Sequence, residues 1–136
     1  ERAGSNNVLH LHGLITLAQS SIDPRLTYPL ERSEIRTGDC CELGSQLRPH
    51  VVWFGEPVPN MSKAISLCQQ ADIFLVIGTS LQVYPAASLL DVVPSGITTY
   101  FIDPKASKLT RSDVPICIDE KATVAVPWVV DQLCNR

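Results

Sequence analysis

The chain has 136 residues, with 11 Lys and Arg against 14 Asp and Glu, a formal net charge of −3 and 45% apolar residues. That apolar share supports one packed domain or part of one and excludes a disordered tail, and the acidic balance leaves no basic face for nucleic acid or an anionic membrane. No apolar run approaches the roughly 20 residues of a membrane-spanning helix, nothing at the start reads as a secretory signal, and five scattered cysteines suit a reducing setting, so the cytoplasm is the expected compartment.

Residue 1 is Glu and the only methionine is Met61, which predicts a processed or partial product with an N-terminal neighbour elsewhere. Glu1 to Asn7 is polar and closes on Gly4-Ser5-Asn6-Asn7, a turn composition. Val8-Leu9-His10-Leu11-His12-Gly13 alternates apolar residues with His and predicts a short strand, Val8 to Leu11, that ends at an edge or cleft. A histidine there is usually structural or solvated. An imidazole is nonetheless suited to act as a base near neutral pH, which makes His12 a candidate ahead of His10.

Leu14 to Leu47 shows no long periodic element and is punctuated by Pro24, Pro29, Gly38 and Gly44. It reads as a small irregular insertion with two short strands, Leu26 to Tyr28 and Glu34 to Arg36. A strand is expected next from Val51 to Trp53, with Pro49 able to start it but not to sit inside it. Phe54-Gly55-Glu56-Pro57 leaves it as a loop, and a packed aromatic pair explains this stretch without any ligand. Asn60 is a candidate N-cap for a helix from Met61 to Gln70, whose apolar face is Ala64, Ile65, Leu67, Cys68 and Ala71.

The run Ile73 to Ile77 is the pivot of the chain. Five apolar residues rich in branched side chains read as a strand buried on both faces of a parallel sheet. Gly78-Thr79-Ser80 comes next at its carboxyl end, where ligands bind in open α/β sheets. Glycine admits a close backbone approach and the hydroxyls offer hydrogen bonds to phosphate or ribose. An ordinary strand, turn and helix without a ligand fits these residues equally well. A helix is expected from Pro85 to Leu90. Thr98 to Ile102 is a second strand, ending in Asp103-Pro104, where a doubly wound fold meets a ribose hydroxyl and where a surface turn is equally plain. Val114 to Ile118 is a third strand and Thr123 to Leu133 a closing helix. The fold class is α/β: the C-terminal half of a doubly wound, Rossmann-like parallel sheet with a small irregular insertion. The dinucleotide turn G-x-G-x-x-G is absent from these residues.

Four segments in order carry a resemblance: Leu11-His12-Gly13, then Leu47-Arg48-Pro49-His50-Val51-Val52-Trp53-Phe54-Gly55-Glu56, then Gly78-Thr79-Ser80-Leu81-Gln82-Val83-Tyr84-Pro85-Ala86-Ala87, then Ile102-Asp103. The chain resembles the sirtuins, NAD-dependent protein-lysine deacylases, over nearly its whole length. Glu1-Arg2-Ala3-Gly4 also resembles the residues just after that family's Gln-Asn-x-Asp segment. The resemblance implies His12 as catalytic base. It implies Val52, Phe54, Gly55 and Glu56 as the loop that an acyl-lysine peptide joins as an extra strand. It implies Gly78, Thr79 and Ser80 at the ribose and phosphates of NAD, Asp103 at the adenosine ribose, where many members carry Asn, and Ala122 near the adenine through its backbone. A carboxylate at Asp103 accepts from ribose hydroxyls and repels a 2′-phosphate, so NAD is expected over NADP.

The chain departs from the family in two places. Sirtuins usually hold a structural zinc on two C-x-x-C pairs; here the first pair's place, within Leu14 to Asp23, has no cysteine, and the second offers Cys40 with Leu43 in the partner position and Cys41 directly adjacent. Four ligands are needed, so no structural zinc is expected, and the insertion is expected to hold together on Leu26, Tyr28, Leu30, Ile35, Leu43 and Leu47. The family's Gly-Ala-Gly-x-Ser and Gln-Asn-x-Asp segments, and its Tyr and Arg marking succinyl-type acyl groups, lie upstream of the His and are not in this sequence. The expected organisation is an opening segment 1–13 with the base, a degenerate zinc module 14–47, and an NAD-binding part 48–136. The chain alone is expected to be inactive. A non-catalytic nucleotide-binding piece and a protein ADP-ribosyltransferase are the rival readings, with no nucleic-acid or membrane partner in any of them.

Overall fold

In the computed structural model, which describes residues 1–30, 34–109 and 116–135, the chain forms two units, Glu1–Asn60 and Met61–Arg136. The first is built on an antiparallel sheet of order β2-β1-β3, with β1 at Gly13–Ser20, β2 at Thr27–Pro29 and β3 at Leu47–Val51. The long strand β1 falls where the sequence reads as irregular. Its register against β3 slips, because Leu14 faces His50 whereas Ala18 faces Pro49. The residues between are absorbed in the irregularity, which erases the period of two on which strand reading depends.

The same slip accounts for Pro49. It sits inside β3, not at its start, and β3 is an edge strand, where a missing N–H at an irregularity costs no ladder bond. The strand expected from Val51 to Trp53 thus lies at Leu47–Val51. Val8 to Leu11 and Glu34 to Arg36 are not strands. At the latter, Arg36 and Asp39 close a turn, with the Arg36 N–H on Asp39 Oδ2 at 2.8 Å and the Asp39 N–H on the Arg36 carbonyl at 3.1 Å.

The interior of this unit also differs from expectation. Leu43 is 58% exposed, and Leu26, Tyr28, Leu30, Ile35 and Leu47 are only half-buried. Among the described residues of this unit, the buried ones are Ala18, Ser20 and Cys41. Ser20 Oγ stands 2.8 Å from Ser45 Oγ and also accepts the N–H groups of Ile22 and Asp23, while Cys41 Sγ lies 3.1 Å from Ser45 Oγ. A polar knot therefore replaces the aliphatic cluster, with each buried hydroxyl satisfied.

The second unit is a parallel sheet of order β4-β5-β6, with β4 at Ile73–Ile77, β5 at Thr98–Ile102 and β6 at Ile116–Ile118. Its helices are α1 (Met61–Cys68), α2 (Ala106–Leu109) and α3 (Ala122–Cys134), with a 3-10 segment at Ala86–Val92. The expected helix from Pro85 is this 3-10 segment, and the four residues of α2 hold too little period to be read from sequence. Of the expected strand Val114 to Ile118, Val114 and Pro115 lie outside the described residues.

Among the strands of this chain, the pivot strand is not the most buried one. β4 is at the edge of the sheet, and Ile73 and Ile77 are each 42% exposed. The buried centre is β5: Phe101 packs with Val76 and Ala106 on one face, and Tyr100 and Ile102 pack with Ala125 and Val129 of α3 on the other. A branched apolar run specifies a strand, but its place in the sheet is set by which neighbours pair with it.

Candidate functional site

His12 ends the coil leading into β1. The residue is exposed, and its carbonyl accepts the Val52 N–H at 3.0 Å. That bond exists because Gly13 faces Val51 where β1 meets β3. Gly13 has φ +85°, and a Cβ there would collide with the His50 carbonyl. Only glycine lets the strands close at this point. His10 is occupied elsewhere: its Nε2 lies 2.8 Å from Glu1 Oε1, and its carbonyl accepts the Asn60 amide at 2.9 Å, the side chain that the sequence offers as a helix cap.

Beyond β3 the backbone makes a tight turn from Trp53 to Glu56, closed by the Glu56 N–H on the Trp53 carbonyl at 3.0 Å. Gly55 has φ +88°, as the third position of a type II turn requires. Phe54 stands 95% exposed at its tip, so the aromatic pair is not a packed strand end. The turn is held from below. Arg48 Nη1 and Nη2 donate to Glu56 Oε1 and Oε2 at 2.5 and 2.8 Å, and Nη2 also donates to the Val51 carbonyl at 2.7 Å. Glu56 Oε2 accepts the Trp53 N–H at 2.9 Å, and the guanidinium lies 4.0 Å over the Trp53 ring. A hollow of about 610 Å³ beside this clamp is lined by Gln19, Arg48, His50, Val52, Glu56 and Asn60, among others.

The Arg48 guanidinium, aided by the Trp53 N–H, holds the Glu56 carboxyl at about 2, against an ordinary 4.5. The folded value is depressed, so the stabilisation is complete above the unfolded value and is lost as pH falls through the window from 4.5 to about 2. Glu56→Gln should flatten that dependence. Urea midpoints measured at about pH 6 and about pH 3 should differ less in the variant than in the parent.

In the second unit the expected nucleotide residues gather at the carboxyl ends of adjacent parallel strands. Ile77 faces Ile102, and the Gly78 N–H reaches the Ile102 carbonyl at 2.9 Å, so Gly78 and Asp103 leave the sheet side by side. Gly78 has φ +62° with open space where a Cβ would stand, which leaves its backbone approachable. Thr79 Oγ1 accepts the Leu81 N–H at 3.2 Å, bending the chain over the strand end, and Ser80 is exposed. Asp103 Oδ1 accepts the Lys105 N–H at 2.9 Å, which leaves its other oxygen able to accept a further hydrogen bond. Ala122 is the half-buried first residue of α3. A larger hollow, about 730 Å³ around Val93 to Thr99, sits at the opposite, amino ends of the strands, where this architecture does not place ligands.

The profile of the Sir2 family matches residues 1–85 of the chain. The chain belongs to the Sir2 family. This Sir2-family chain is 46% identical over 133 residues to an NAD-dependent protein deacylase of Helicobacter pylori, covering 98% of the chain and 58% of that protein. Among solved structures it is similar to a Sir2 homologue–NAD complex, with a TM-score of 0.86 and 33% identity over 98% of the chain and 54% of the other. It is also similar to a Sir2–p53 peptide–NAD+ structure, with a TM-score of 0.73 and 27% identity over 99% of the chain and 59% of the other. The Sir2-family chain spans about half the length of the curated relatives it matches.

Reading the residues singly misses Gly13 and Arg48 as site residues. The signal for Arg48 is present in the sequence: opposite charges at positions 48 and 56 flank an exposed aromatic pair. Among the described residues, no group of three or more His, Cys, Asp or Glu is placed to hold a metal ion, and no helix is long and apolar enough to cross a membrane.

Proposed function

We propose that this Sir2-family chain is the C-terminal part of an NAD-dependent protein-lysine deacylase. The observation that carries the reading is the bond from the Val52 N–H to the His12 carbonyl, which joins the candidate base to the start of the candidate peptide loop. The names of the relatives and the peptide-bound neighbour support a protein substrate. The Gly78 and Asp103 pair at parallel strand ends fits an adenine dinucleotide, and NAD supplies the ribosyl carbon that the acyl oxygen joins as nicotinamide leaves.

In this reading His12 takes the proton of a ribose hydroxyl, turning it into a nucleophile toward the transferred acyl carbon. Val52, Phe54, Gly55 and Glu56 present the turn that pairs with the peptide backbone, so affinity comes mainly from main-chain bonds. Gly78, Thr79 and Ser80 hold ribose and phosphate, Asp103 accepts from the adenosine ribose, and Ala122 meets the adenine through its backbone. Water then adds at the transferred acyl carbon as its bond to the lysine nitrogen breaks, so NAD, acyl-lysine and one water give deacylated lysine, nicotinamide and an O-acyl-ADP-ribose. The module 14–47 works without zinc, held by the Ser20, Cys41 and Ser45 contacts.

The test is direct. The full-length product of the gene, given NAD and an acetyl-lysine peptide, should release nicotinamide and deacylated peptide in equal amounts. The present chain alone should release neither. Labelled ADP-ribose appearing on protein without deacylation would favour transfer, and nucleotide binding without nicotinamide release would favour a non-catalytic piece. Either result overturns the deacylase reading.

A further inference from the structure

The candidate peptide loop raises a physical problem. Its affinity would come from main-chain groups, yet the loop is exposed and buries little of its own. Trp53 and Phe54 are 53% and 95% exposed. Something other than a hydrophobic core must therefore keep the backbone from Val51 to Glu56 in one shape. Where a flexible segment must be ordered to bind, the ordering entropy is subtracted from affinity.

We propose that Arg48 is a positioning residue for substrate, fixing the peptide-pairing backbone of the Val52 to Glu56 turn through a clamp with Glu56, Val51 and Trp53. The inference rests on the deacylase reading and concerns the same site. Arg48 makes three bonds from two nitrogens, two to the Glu56 carboxylate and one to the Val51 carbonyl, and its plane covers the Trp53 ring. Glu56 returns one oxygen to the Trp53 N–H. The clamp therefore holds the main chain where it enters the turn, at Val51 and Trp53, and ties it to the far end through the Glu56 side chain. A planar fork can serve a carboxylate, a carbonyl and an aromatic face at once; an ammonium can serve only part of this set. The Arg48 side chain is 17% exposed, so its bonds are shielded from competition by water. Its Nε is buried without a partner among the described residues, a cost accepted for a geometry in which both terminal nitrogens reach the loop.

The side-chain hydrogen bonds of Arg48 among the described residues go to Glu56 and to Val51 at the base of the loop, within the first unit, so its removal has a specific signature. In the full-length protein, Arg48→Gln should raise the KM for acyl-lysine peptide by roughly tenfold or more, while KM for NAD and kcat at saturating peptide stay within about twofold. Arg48→Lys should recover only part of the loss, because a lysine cannot pair bidentately. Amide hydrogen exchange read on the same samples should show faster exchange at Trp53 and Glu56, with the sheet amides of β1 unchanged.

The outcomes separate. A parent enzyme that deacylates normally while Arg48→Gln keeps its peptide KM and its Trp53 protection overturns the positioning role. Equal losses in kcat, NAD KM and thermal midpoint would show general destabilisation and overturn it too. A parent that releases no nicotinamide in the presence of acyl-lysine peptide overturns the deacylase reading itself, and the inference with it.

Discussion

Replacing His12 with alanine in the full-length protein should lower kcat/KM for deacylation by about 10²–10⁴-fold, the usual contribution of a positioned base. The structure makes this an unusually clean substitution. His12 is exposed, and its tie to the fold is its backbone carbonyl, which alanine keeps. No side-chain hydrogen bond is lost among the described residues. The thermal midpoint and the circular dichroism spectrum should match those of the parent, and peptide binding should persist. The measurement is single-turnover deacylation with NAD at saturation. An unchanged rate would remove His12 from the mechanism and leave the nucleotide assignments standing.

The second large effect belongs to the next residue. Gly13→Ala should cost more than about 3 kcal/mol and uncouple the base from the peptide loop. Two penalties add. A Cβ at φ +85° is in the region that L residues avoid, a cost of roughly 1–2 kcal/mol. The Cβ would also meet main chain, with the His50 carbonyl in its path and the Val51 Cα at 3.2 Å, so the strands themselves must part. Parting them breaks the Val52 to His12 bond. Gly55→Ala is the matched control. It carries the same conformational cost at φ +88° but has open space around it, so its loss of stability should be the smaller by more than about 1 kcal/mol. Urea denaturation of the two variants decides the matter. Equal losses would show that φ alone, and not the closeness of β3, accounts for Gly13.

The legible parts of this protein are those where local chemistry and global fold agree. The strands Ile73–Ile77 and Thr98–Ile102 are found where branched apolar runs predict them, and the helix expected after Asn60 begins at Met61, with Ala64 and Cys68 of its apolar face buried. The illegible parts are those in which long-range pairing overrides local pattern. β1 is hidden by a register slip against a strand far along the chain, and Pro49 is inside β3 because the edge of a sheet tolerates it. Leu43 reads as core and is exposed, whereas Ser20 has the polarity of a surface residue and is buried with Cys41 in a hydrogen-bonded knot.

The same division holds for the site. Residue order alone determined the family resemblance, the α/β class, and the small-residue bend after a parallel strand, because those depend on short spacings and on the types of a few side chains. Only the tertiary structure decided that Gly13 must lack a side chain, that Arg48 and Glu56 grip one turn, and that β5 is the most buried strand within this chain. Each of these depends on atoms brought together from distant points of the chain. Their energies come from contact distance and exclusion of water, quantities that no local pattern of residues encodes.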